Sequence, residues 1–146
     1  MKKQHLLERQ SEETPESTTF SYELLRHVLL PELLGEDEEM ILYWGGKSIA
    51  RKLASEELDN LENFFERADW GTLSLVKEKK STRVYELVAP LMEKGRPISL
   101  ECGFLAQAIE RQQGYVTEAS YEMKKKNPYT CRITVKWDIA DPVQSS

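Results

Sequence analysis

One stretch constrains this chain more than any other. Ser99 to Gly114 is an apolar run with the period of a helix, set between two pairs of strand-like segments. Cys102, Phe104, Leu105, Ala108 and Ile109 fall at helical spacing, Ser99 stands where an N-cap belongs, and Gly114 offers a stop. A helix placed between two hairpins finds cover for its apolar face against the sheet those hairpins make. The flanking patterns fit. Leu73 and Leu75 alternate with polar neighbours in Thr72 to Lys79, as do Tyr85, Leu87 and Ala89 in Thr82 to Ala89. In the second pair, Tyr115, Thr117, Ala119, Tyr121 and Met123 share one face. Tyr129, Cys131, Ile133, Val135 and Trp137 share one face of its partner, and Asn127-Pro128 supplies the turn.

Three helices are predicted before the first hairpin. The first begins at Ser21, carries Leu24, Leu25, Val28 and Leu29 on one face, and is interrupted at Pro31. The second spans Asp37 to Leu53, with Asp37 as cap, acidic residues at its start and Arg51-Lys52 at its end. Gly45 and Gly46 lie in its middle, where each costs about 1 kcal/mol relative to alanine. Close approach of another backbone would justify them; so would room for a ligand beside Trp44, or a smooth subunit interface at Gly46 and Lys47. The third, capped by Ser55, spans Glu56 to Ala68 and ends at Trp70-Gly71. The expected class is α+β: a four-stranded antiparallel sheet of two hairpins with about four helices packed on one face. The expected organisation is a disordered tail over residues 1–18, a single domain over 19–139 and a frayed tail over 140–146.

Charge and composition exclude some roles. The formal net charge is −5, which argues against nucleic acid as the main partner. No apolar run approaches the ~20 residues of a membrane helix. Met1-Lys2-Lys3 is followed by no signal-peptide apolar region, so the expected location is the cytoplasm, where Cys102 and Cys131 stay reduced.

Catalytic signatures are thin. There is no Cys-x-x-Cys or His-x-x-x-His, and no metal or cofactor is expected. Gly45-Gly46-Lys47 lacks the spacing of a phosphate loop. Cys102, in the first turn of its helix, could be activated by the helix N-terminus, but no histidine base accompanies it. The acidic pairs fall at helix starts, and Lys124 to Lys126 mark a hairpin tip. The remaining candidate is an apolar pocket between the two glycine-bearing helices and the sheet, bordered by Trp44, Gly45, Cys102, Phe104 and Leu105. The same mixture of large and small residues also suits interdigitated helices.

Several motifs occur together: Phe20 to Arg26, Leu29 to Gly35, Ile41 to Lys47, Phe64-Phe65 with Trp70-Gly71, and Leu100 to Ala106. With these the chain resembles the YslB-like family of small cytosolic proteins from Gram-positive bacteria. That family is similar, more distantly, to 4-vinyl-reductase-like ligand-binding domains and to trafficking subunits of the TRAPP complex. The resemblance implies helices on a four-stranded antiparallel sheet, binding of an apolar small molecule or acyl chain, and dimers formed through helices. It carries over at Gly103 to Ala106. The expected function is therefore a non-enzymatic binding module, the alternative a homodimeric interaction module without a ligand.

Overall fold

A computed structural model describes residues 20–92 and 96–143. The disordered tail expected over residues 1–18 and residues 144–146 of the frayed tail lie outside them. The chain divides into two compact units, one ending at Gly35 and one beginning at Glu36.

In the first unit the helix does not break at Pro31. It widens instead into a π-helical stretch, Leu24–Leu29, and continues as α1 (Leu30–Leu34). Proline lacks the N–H that would close the turn to His27, and its ring crowds that carbonyl; the wider turn relieves both. Arg26 Nη1 donates to the Tyr22 hydroxyl at 3.2 Å. Ser21, expected as a cap, lies within the helix.

The second unit opens with α2 (Glu38–Lys52), followed by a 3-10 turn, Ser55–Leu58, and α3 (Leu61–Arg67). One helix was expected over Glu56 to Ala68. Asn60 divides it: its side chain accepts the Asn63 N–H at 3.0 Å, offering the backbone a fresh start at Leu61. Then come β1 (Thr72–Lys79), β2 (Thr82–Val88), α4 (Ser99–Gln113), β3 (Tyr115–Lys126) and β4 (Tyr129–Pro142). The strands form one antiparallel sheet in the order β1-β2-β4-β3. Leu73 faces Leu87, Leu87 faces Cys131 and Cys131 faces Met123, so the apolar faces of both hairpins merge into one surface. β4 continues through residues 140–142, where Tyr115 pairs with Pro142 and the Val143 N–H donates to the Gly114 carbonyl. That pairing orders four residues read from sequence as frayed.

The helix α4 is central. Nearly every residue from Ser99 to Ile109 is buried, with α2 against one side and β3 and β4 against the other. Two glycines set the distance to α2. A Cβ at Gly46 would strike the Leu100 carbonyl oxygen and stand 2.6 Å from the Phe104 nitrogen; one at Gly103 would strike the Tyr43 carbonyl. The side chains of α4 also complete its neighbours. Arg111 donates to the carbonyls of Ala50 and Leu53 at 2.8 and 2.9 Å, satisfying orphan groups at the end of α2. Gln112 does the same for Leu58 at 3.1 Å. Beneath α4, Phe104 stacks on Phe64 with centroids 4.5 Å apart, and Trp70 and Phe65 meet it edge-on.

A candidate ligand groove at the start of α4

The sequence-derived pocket residues do not gather around one space. Phe104 and Leu105 are fully buried in the core beneath α4. Trp44 is 57% exposed, and the open side of Gly45 meets only the Leu100 side chain, at 3.8 Å. Gly46, expected at an interface with Lys47, is buried against α4 of its own chain. The Lys47 ammonium lies 5.6 Å from the ring centres of Tyr43 and Trp44.

Cys102 does border a cavity, and of the five expected pocket residues it alone is among the lining. A groove of about 410 Å³ runs between three elements. The first turns of α2 supply Glu39, Met40 and Tyr43, and the first turn of α4 supplies Ser99 and Cys102. The middle of β3 supplies Ala119, Ser120 and Tyr121. Its size is that of a small-molecule site. The ion pair that frames this end of the molecule is bidentate: Arg96, just before α4, grips the Glu38 carboxylate, with one contact at 2.9 Å. The Tyr129 hydroxyl in turn donates to the Arg96 carbonyl at 3.1 Å. Together these hold the starts of α2 and α4 on either side of the groove.

The polar groups in the groove are neutral apart from Glu39. Burial, and next the charge of Glu101, push the Cys102 thiol well above its ordinary range. Burial and then Glu39 push the Tyr121 phenol up to about 12, and burial raises Tyr43. At neutral pH the thiol and both phenols therefore keep their protons. The Tyr43 oxygen accepts the Ala119 N–H at 3.2 Å. Ser99 is not the cap that its sequence position suggested. Ile98 occupies that position, and Ser99 is the first helical residue. Its hydroxyl is buried and has no hydrogen-bond partner among the described residues. A serine at the head of an apolar helix usually caps it; here the helix starts one residue earlier than that role requires. Among the described residues no group of three or more His, Cys, Asp and Glu side chains could hold a metal.

This environment makes Cys102 a poor nucleophile, since the thiolate is the reactive form. Only 1% of the residue is exposed. Iodoacetamide at neutral pH is expected to leave Cys102 unmodified in the native protein and to modify it after unfolding in guanidinium. Rapid native alkylation, read by peptide mass spectrometry, would contradict the described burial.

A family model described as "Protein of unknown function (DUF2507)" matches residues 19–136. The chain belongs to that family. Its relatives include the uncharacterized protein YslB of Bacillus subtilis, 40% identical over 88% of this chain and 90% of that one. The uncharacterized protein MJ1642 of Methanocaldococcus jannaschii is 31% identical over 61% and 58% of the two chains. Among solved structures, a vinyl-4-reductase family protein from M. jannaschii superposes with a TM-score of 0.52 at 20% identity, covering 81% of this chain and 80% of that one. A trafficking protein particle complex subunit 3 from Naegleria fowleri, covalently bound to palmitic acid, superposes with a TM-score of 0.58 at 14% identity, covering 89% and 99%. At such identities these two share the fold of this DUF2507 member, as the resemblance implied.

Proposed function

We propose that this protein is a cytoplasmic, non-enzymatic binding module that takes an apolar small molecule or acyl chain in the groove at the start of α4. The observation that carries the reading is the groove itself: a cavity of small-molecule size bordered by a buried hydroxyl without a partner. Buried polar groups are almost always hydrogen-bonded, so an orphan facing a cavity is a place for a ligand atom. A fold neighbour bound to palmitic acid adds support at the level of fold. The protonated, buried Cys102 speaks against thiol catalysis. The two free cysteines and the absence, among the described residues, of a helix long and apolar enough to cross a membrane fit the proposed compartment.

A second reading has its own observation. Met40, Ile41 and Trp44 of α2 are all exposed, and apolar residues grouped on one helix face suit a homodimer contact. Native mass spectrometry of the purified protein tests both readings in one measurement. The ligand reading expects a mass excess that organic extraction releases as an apolar compound; the dimer reading expects twice the chain mass. A bare monomer would defeat both.

A further inference from the structure

We propose that the groove recognises a neutral carbonyl oxygen, that of an ester or amide, and discriminates against a free carboxylate. The inference rests on the ligand reading above and deepens it. Its starting point is Ser99, whose residue is only 5% exposed and whose Oγ lacks a partner among the described residues. Ser99 lines the groove together with Tyr43 and Tyr121. The oxygen of the Tyr43 phenol already accepts a backbone N–H group, that of Ala119. A hydroxyl whose oxygen is engaged still has its proton to give, so what Tyr43 can offer a ligand is donation. Ser99 can donate as well, and it opens a helix whose first N–H groups have no partner within the helix. Tyr43 and Ser99 thus bring donors to the groove, and the complement of those donors is an acceptor.

Charge decides which acceptor. An anion would be drawn to the N-terminus of α4, but that position is already faced by acid. Glu39 lines the groove there. No lysine, arginine or histidine is among the residues that line the groove. A carboxylate entering here would meet Glu39 without a compensating cation, and burying an unpaired charge is costly. A carbonyl satisfies the same donors without that penalty. The apolar remainder of the ligand would lie against Met40 and Ala119.

Isothermal titration of the full chain with methyl decanoate and with sodium decanoate at pH 8 tests this. The ester is expected to bind at least about tenfold tighter, the equivalent of one charge-assisted discrimination of ~1.4 kcal/mol. Ser99→Ala is expected to weaken ester binding about fivefold to tenfold, the range of one hydrogen bond. The same variant should melt no lower than the parent, because it removes an unsatisfied buried hydroxyl; a merely structural serine would lower the melting temperature and leave binding alone. Glu39→Gln, at an exposed position, is expected to narrow the gap between the probes by strengthening decanoate binding. Equal or tighter binding of decanoate by the parent, or a Ser99→Ala variant that binds the ester normally, would overturn the carbonyl proposal while leaving a ligand-binding groove. Binding of neither probe would count against the groove as an acyl site altogether and so against the reading beneath.

Discussion

Gly103→Ala is expected to destabilise the protein by about 3 kcal/mol or more, at the upper end of overpacking costs, lowering the melting temperature by roughly 10 °C. The added methyl group would collide with the carbonyl of Tyr43 and stand 2.8 Å from its carbon. These are main-chain atoms of a helix, so no rotamer change relieves the clash. Gly46→Ala is expected to behave alike, against Leu100 and the Phe104 nitrogen. The neighbouring glycine provides the contrast. A Cβ at Gly45 meets only a leucine methyl at 3.8 Å, an ordinary contact. Gly45→Ala should therefore stabilise the protein by up to about 1 kcal/mol through helix propensity. Thermal melts of the three variants decide the matter. Three equal losses would mean that the close helix crossing does not set the cost.

Phe104→Ala is expected to cost about 3–5 kcal/mol, the range for deleting a buried ring. Phe104 is fully buried, stacked on Phe64 at 4.5 Å and edge-on to Trp70 at 5.3 Å. Removing it leaves a void that Phe64, Phe65 and Trp70 can only partly fill. The near-ultraviolet circular dichroism of the aromatic cluster should fall together with stability. Because the ring lies beneath α4 and the groove at its start is lined by other residues, any ligand bound there should keep its affinity in the variant that remains folded at low temperature. A lost affinity with intact stability would return Phe104 to the binding site.

The fold was legible where patterning is strong. The period of two in Tyr115 to Met123 and Tyr129 to Trp137 placed β3 and β4, and the face of β4 from Tyr129 to Trp137 is buried as read, because a one-residue slip would turn every side chain over; Met123 is exposed and Thr130, expected to face water, is buried. β1 was harder. Leu75 reads as core but is exposed, since β1 is an edge strand with a register shift between Leu75 and Lys77. The site was less legible for a physical reason. Trp44, Phe104 and Leu105 are large and apolar, and such residues announce burial or contact without saying which. The two glycines were ambiguous in the same way until Leu100 and Tyr43 were seen opposite them. Tyr43, Tyr121 and Ser99 come together only through tertiary structure, from segments up to 78 positions apart (43 to 121).

The crossing of α2 and α4 has one more consequence. At Gly46 and Gly103 the obstacle to a larger residue is the opposite helix's peptide backbone, not one of its side chains. A peptide group cannot be trimmed by mutation. The usual genetic remedy for an oversized residue, a smaller neighbour across the contact, therefore has nothing to act upon at the main-chain clash itself. Screens for second-site suppressors of these two substitutions should return global stabilisers scattered over the domain and true revertants, rather than partners facing the lesion.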